Sequence, residues 1–181
     1  VEATLRLFRQ LHSKGYTNVG VVIQSALYRS EGDVAALLAE GARIRLVKGA
    51  YMEPPKVAYP EKPDVDAAYD RLADAMLHAS FAELERGKDE AWPPITAIAT
   101  HDDKRVGFVK THAAEIGLPK TAYEFQMLYG IRRDLQTELE SQGYAVRVYV
   151  PFGRQWYPYF MRRLAGRPAN LWFFLSNLVR R

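Results

Sequence analysis

The chain has 181 residues, 48% of them hydrophobic and 25% charged, with 25 Lys and Arg against 21 Asp and Glu for a formal net charge of +4. That length and composition suit one globular domain around one core, and the absence of cysteine excludes a disulfide framework, a thiolate nucleophile, a zinc–thiolate site and an iron–sulfur cluster. No apolar run reaches the roughly 20 residues of a membrane span and no signal peptide heads the chain, so a cytoplasmic protein is expected. A pI near 9.3 raises nucleic acid as a partner. The basic excess is small and dispersed, however, and no nucleic-acid partner is expected.

In chain order, Val1–Lys14 (VEATLRLFRQLHSK) reads as a helix leading into a first strand. Five stretches then have strand length and composition: Val19–Gln24, Arg43–Lys48, Ile95–His101, Ala122–Leu128 and Ala145–Pro151. Helical spacing lies between them. Val34, Leu37 and Leu38 follow the opening Ser30-Glu31-Gly32-Asp33, and longer segments run from about Asp64 to Arg86, Asp103 to Ile116 and Ile131 to Gln142. Two more helices are expected over Gln155–Ala165 and Leu171–Arg180. Strands alternating with helices at this pitch predict consecutive βα units and a parallel sheet. One interval is twice as long as the others and holds Pro54, Pro55, Pro60 and Pro63. Its proline content predicts irregular structure or a mobile loop, on the functional side of such a fold.

Polar residues gather where these strands end: Gln24, Lys48, Thr100 with His101, Gln126 and Tyr149. In parallel α/β proteins the carboxyl ends converge on the face that holds the ligand. Five strand ends in succession, each with a hydrogen-bonding side chain, predict a shared site. Arg43 and Arg45 fall on one face of their strand by period two, with Lys48 on the other parity or just past the end. Cations in a parallel strand signal either a solvated edge strand or an electron-rich ligand that both approach. Gly49 follows, small enough for close approach of a ligand phosphate. Adjacent Arg162 and Arg163 in a late helix are either a solvated face or a clamp for one carboxylate. No metal-ligand set is read from the sequence.

Together, Arg45-Leu-Val-Lys48-Gly-Ala-Tyr51, Ala99-Thr-His101, Glu124-Phe-Gln126-Met-Leu128-Tyr-Gly130, Tyr149-Val-Pro-Phe-Gly153 and Tyr159-x-x-Arg162-Arg163-Leu resemble the proline dehydrogenase family, with Gln24 matching a preceding strand end. The ordered set runs from about residue 19 to residue 176. The resemblance implies a distorted (βα)8 TIM-type barrel, an α/β fold, with FAD held noncovalently at the strand ends. It implies oxidation of L-proline to pyrroline-5-carboxylate, with electrons passed to a membrane quinone. Carried over by motif, Arg45 lies near flavin N5, where a cation favours the reduced ring. Gln24, Lys48, Gly49, Ala50, Thr100, His101 and Gln126 belong to the cofactor site, Gly49 near the diphosphate. Arg162 and Arg163 bind the proline carboxylate, Tyr149 and Tyr159 pack on its ring, and Tyr51 and Leu128 complete the pocket. The competent amine is neutral, so activity is expected to fall at low pH.

The resemblance also implies earlier strands that contribute a lysine and an aspartate to the substrate pocket and have no counterpart here. The chain therefore reads as a single domain over residues 1–181, the C-terminal part of the barrel with about five βα units. Gly166 stands where related sequences carry an acid, which removes a counter-charge from the Arg cluster. Met52 stands where some relatives have an aromatic. Quinone reduction implies peripheral contact with the inner membrane, for which Leu171–Arg181 is apolar enough. Coupling to a pyrroline-5-carboxylate dehydrogenase is a further implied partnership. Two other classes compete: a non-catalytic flavodoxin-like domain binding an anion or nucleotide at its strand ends, and a nucleic-acid binder using the basic and aromatic residues of Arg147–Arg163. The first lacks a Gly-rich phosphate loop and the second lacks a known module.

Overall fold

The computed structural model describes residues 1–49, 53–86 and 94–154. Helix α1 (Glu2–Ser13) precedes β1 (Gly20–Gln24), α2 (Ser30–Ala39), β2 (Arg43–Val47), α3 (Lys62–Glu85), β3 (Thr96–Ala99), α4 (Asp103–Glu115), a 3-10 turn over Lys120–Ala122, β4 (Tyr123–Leu128), α5 (Arg133–Ser141) and β5 (Ala145–Tyr149). Each expected strand and each expected helix within the described residues forms, with ends shifted by a residue or two. The helices expected after residue 154 lie outside those residues.

The five strands make one sheet in the order β1-β2-β3-β4-β5, every pair parallel. A flavodoxin-like sheet reverses its order at a switch point. This one never does, so the doubly wound alternative fails on topology. Sequential order with a helix after each strand is the winding of a βα barrel.

Among the described residues, only one face of the sheet is covered. Val21 and Ile23, Ile44 and Leu46, and Phe125 and Met127 alternate along their strands and join the helices in one core cluster. Leu37 of α2, Tyr69 and Met76 of α3, Val109 of α4 and Leu139 of α5 meet them there. The opposite parity carries Val22, half-exposed, with Arg45, Glu124 and Arg147. Helices α2 and α5 reach the next strand through the same exit. Gly41 and Gly143 take left-handed φ of 68° and 81°, and the following N–H turns back, Ala42 to Leu37 O at 2.9 Å and Tyr144 to Leu139 O at 3.0 Å. A β-carbon would oppose that conformation, which glycine adopts freely. The same backward bond closes α1 and α4, from Tyr16 to Leu11 O and from Leu118 to Ala113 O.

The proline-rich interval is irregular, as expected, but not loose. Residues 57–59 lie along the β1–α2 loop through Tyr28 N–H to Val57 O (3.1 Å), Tyr59 N–H to Ala26 O (2.8 Å) and a bridge between Leu27 and Ala58. Tyr28 also donates its hydroxyl to Pro55 O at 2.9 Å and meets Tyr59 edge to face. Pro63 sits in the first turn of α3, where its missing N–H costs nothing.

Candidate active site

The carboxyl ends of β1 to β5 form one rim, and the uncovered sheet face runs up to it. Arg45 occupies the middle of that face. Its strand is flanked by β1 and β3, so the edge-strand explanation of its cations does not hold. Register places Val22, Arg45, Ala97, Glu124 and Ala145 in one row, with Gln126 and Arg147 paired one step up. Arg45 Nε donates to Gln126 Oε1 at 2.5 Å. Gln126 Nε2 donates in turn to Glu124 Oε1. Glu124 is 2% exposed and accepts two parallel bonds from Arg147, Nε to Oε1 and Nη2 to Oε2, both at 2.9 Å. One acid thus neutralises one arginine directly and orients another through an amide. The fork geometry of guanidinium on carboxylate makes the arrangement rigid.

Lys48 lies just past β2, the second of the two places its sequence position allowed. Its ammonium bridges Asp66 of α3 and Asp102, the latter at 2.5 Å. Lys62 reaches the same Asp66, and Arg105 Nη1 is 3.3 Å from it. Burial alone would push both carboxyls up. Lys48 and Lys62 reverse this and hold Asp66 and Asp102 below the usual carboxylate range, with Lys104 N–H adding to the effect at Asp102. Asp102 is also the N-cap of α4, accepting Lys104 N–H at 3.0 Å. Lys48 therefore joins two helix starts, and its position depends on both.

His101 begins the β3–α4 loop. Its Nε2 accepts Leu128 N–H at 2.9 Å, so the neutral ring carries its proton on Nδ1. Burial, helped by the charges of Arg132 and Arg45, pushes its pKa down to about 4. The ring stays neutral at physiological pH. Arg132 stands behind it in a left-handed conformation (φ 51°), pairing with Asp103 at 2.8 Å and Asp134 at 2.9 Å and donating to His101 O at 3.3 Å. Thr100 is buried, and its hydroxyl oxygen accepts Asp102 N–H at 3.1 Å, shaping the same loop.

Gln24 and Gly49 meet at the other end of the rim. Gly49 has φ 118°, and a β-carbon there would lie 3.1 Å from Gln24 Oε1 and 3.3 Å from Ala26 Cβ. Leu128 and Tyr149 close the row at β4 and β5, paired in register, with Tyr149 48% exposed. The structure therefore brings Gln24, Arg45, Lys48, Gly49, Thr100, His101, Gln126, Leu128 and Tyr149 to one face and rim. Ala50, Tyr51, Tyr159, Arg162 and Arg163, with Met52 and Gly166, lie outside the described residues. Sequence reasoning missed Glu124, Arg147, Asp66, Asp102 and Arg132. Only Asp102, the acid after Thr100-His101, carried a local signal, as the N-cap of the following helix.

A family model described as "Proline dehydrogenase" matches residues 1–173. The chain belongs to the proline dehydrogenase family. It is 48% identical to "Proline dehydrogenase" of Deinococcus radiodurans over 181 residues, and 42% identical to "Proline dehydrogenase 2" of Bacillus subtilis strain 168. Those alignments take in 99% of this chain and 54% and 55% of the relatives. The chain thus spans about half the length of the curated relatives it matches. Among solved structures, proline utilization A (PutA) from Bdellovibrio bacteriovorus, inactivated by N-propargylglycine, is 30% identical with a TM-score of 0.74, over 89% of this chain and 18% of that one. PutA from Corynebacterium freiburgense shares the fold at a TM-score of 0.67 and 23% identity, over 98% of this chain and 20% of that one. Resemblance and barrel-type fold are both met. Among the described residues no helix is long and apolar enough to cross a membrane.

Proposed function

We propose that this chain supplies the carboxyl-end rim of a proline dehydrogenase that oxidises L-proline to pyrroline-5-carboxylate with FAD. The observation that carries the reading is Arg45, fixed by Gln126 in the centre of an uncovered sheet face and surrounded by donors at five strand ends. The donor set suits a flavin: an ordered guanidinium, a neutral imidazole with its proton on Nδ1, two amides and an ammonium, facing a ring system rich in oxygen and nitrogen acceptors. Gly49, where a β-carbon would crowd Gln24, keeps the backbone open to a diphosphate. Gln24, Arg45, Lys48, Gly49, Ala50, Thr100, His101 and Gln126 would hold the cofactor.

When bound, FAD would supply a two-electron acceptor for the hydride on the ring carbon beside nitrogen, the carbon–nitrogen bond becoming double and the proton on nitrogen passing to solvent. Arg45 provides fixed positive charge where negative charge develops, at no reorganisation cost because Gln126 and Glu124 already hold it. His101 donates without carrying charge. Lys48 keeps Asp66 and Asp102 ionised. Arg162 and Arg163 would orient the substrate carboxylate, with Tyr51, Leu128, Tyr149 and Tyr159 around the ring. The protein's part is positioning and electrostatics, not proton transfer.

Further strands closing the barrel are part of this proposal. The uncovered face needs a covering layer, and Arg43 Nη1 is buried there with no hydrogen-bond acceptor among the described residues. A membrane quinone as electron acceptor brings the protein to the membrane surface from the cytoplasm. Hand-off of the product to a pyrroline-5-carboxylate dehydrogenase follows the likeness to PutA. The test is the absorption spectrum of the purified full-length protein. Flavin bands that bleach on anaerobic addition of L-proline are expected; a colourless protein that FAD does not reconstitute overturns the reading.

A further inference from the structure

Outside the rim, on the outer helical layer, three metal-type side chains converge. Asp74 and His78 stand one turn apart on α3, and His112 projects from α4. Their ligand atoms all lie within 4.8 Å of one another. Asp74 Oδ1 is 2.5 Å from His112 Nε2 and 3.3 Å from His78 Nε2. Both imidazoles therefore present the same nitrogen to one carboxylate. The remaining ring nitrogen of His112, Nδ1, faces Glu115 Oε2 at 3.2 Å. A carboxylate behind a histidine, accepting from the nitrogen opposite the ligating one, fixes tautomer and ring plane for a metal. Phe108 stacks on the same ring at 5.4 Å between centroids and 11° between planes. One ligand is thus held from two sides, while His78, 56% exposed, is free to adjust.

We propose that Asp74, His78 and His112 bind one divalent transition-metal ion of the Zn2+ class, oriented by Glu115 and cross-linking α3 to α4. Two imidazoles and one carboxylate are a borderline-soft donor set suited to Zn2+, Co2+ and Ni2+ and unsuited to Mg2+ or Ca2+, which take oxygen donors. Zinc bonds of about 2.0–2.1 Å place tetrahedral ligand atoms roughly 3.4 Å apart; Asp74 and His78 already stand at 3.3 Å, and the 2.5 Å contact of Asp74 with His112 opens to that spacing when the ion takes the place between them. Solvent completes the fourth position at this half-exposed site. Such a link acts on the rim from behind: α3 carries Asp66 and α4 begins at Asp102, the two carboxylates that hold Lys48. The proposal rests on none of the flavin chemistry above.

The test is calorimetric titration of the chelator-treated, metal-free full-length protein with Zn2+. One saturable equivalent assigned to this site is expected, together with a rise in thermal midpoint, and no response to Mg2+. Exposed His78→Gln should weaken that equivalent more than tenfold and abolish the rise. Glu115→Gln should weaken it by about 10- to 100-fold, and His12→Gln, far from the triad, should leave it unchanged. Co2+ in place of Zn2+ should give visible ligand-field bands that disappear in His78→Gln. Absence of saturable binding overturns the proposal, as does an affinity unaltered in His78→Gln. Equal binding of Mg2+ identifies a plain acidic surface and overturns it as well.

Discussion

Acidification should destabilise the folded protein through His101, and by a calculable amount. In the native state its Nε2 accepts Leu128 N–H, and its pKa lies near 4 because burial, with Arg132 and Arg45 close by, disfavours the cation. In the unfolded chain the imidazole titrates near ~6.5. Between these values the unfolded state holds a proton that the native state refuses, so stability falls as pH drops from about 6.5 towards about 4, and this contribution is complete below that. At about 1.4 kcal/mol per pH unit, the separation amounts to about 3 kcal/mol. Urea unfolding of the full-length protein at several pH values would measure it, against His101→Gln, whose side-chain oxygen can still accept Leu128 N–H but does not titrate. Carboxylates such as Asp66 and Asp102 also lose stabilisation in acid. They do so in both proteins and cancel in the difference. The wild type should lose about 3 kcal/mol relative to the variant across that window. Parallel curves would refute the argument, because His101 would then titrate alike in the folded and unfolded states.

Glu124→Ala removes the buried carboxylate that Arg147 and Gln126 share; chemical denaturation should record a loss of about 3 kcal/mol, with Glu124→Gln losing less. Lys48→Met removes the ammonium that joins Asp66 to Asp102 and leaves only Lys62 and Arg105 to offset the two charges. The deficit, about 2 kcal/mol at neutral pH, should shrink as pH falls below the usual carboxylate range and the two held-down carboxyls protonate, and an unchanged deficit would argue against the pairing. Gly49→Ala must place a β-carbon 3.1 Å from Gln24 Oε1 at φ 118°; a cost of about 1–3 kcal/mol should appear in the thermal midpoint, accompanied by weaker FAD reconstitution. Turnover with L-proline should rise from about pH 6 to about pH 9 as the amine deprotonates, and a flat profile would count against the proposed chemistry.

The βα winding was legible because strand and helix periods alternate cleanly, and Arg43 with Arg45 announced by parity a face different from Ile44 and Leu46. That their strand is interior was not legible, since edge position is decided by neighbours rather than by the strand itself. Glu124 was visible as a letter in a motif, yet its burial follows from register: Gln126 opposite Arg147 brings Arg147 within reach of it. Lys48 offered a charge and no direction, because its partners lie 18 and 54 residues away. The proline-rich interval misled differently. Its prolines rule out long ladders but leave carbonyls and neighbouring N–H groups free to pair with the β1–α2 loop. The triad of Asp74, His78 and His112 escaped for the same reason as Lys48. Only the i, i+4 half sits on one helix, and the third ligand arrives through α3–α4 packing.

The shared helix exits have a consequence for how the molecule tolerates change. Four helices hand over to the following strand through one backward hydrogen bond around a left-handed turn, and all four handovers lie at the amino ends of the strands, away from the rim. The rim loops have nothing in common: one ends on a lysine between two aspartates, another on a neutral histidine, another is strapped by prolines. One end of the sheet is assembled from a repeated joint and the other from unique parts. Alterations at the joints, such as Gly143→Ala, should be felt as a uniform loss of folding free energy that leaves ligand affinity intact. Alterations at the rim should register first in what the protein binds. A lineage could thus rework the chemistry at one end while the other keeps the barrel winding in register.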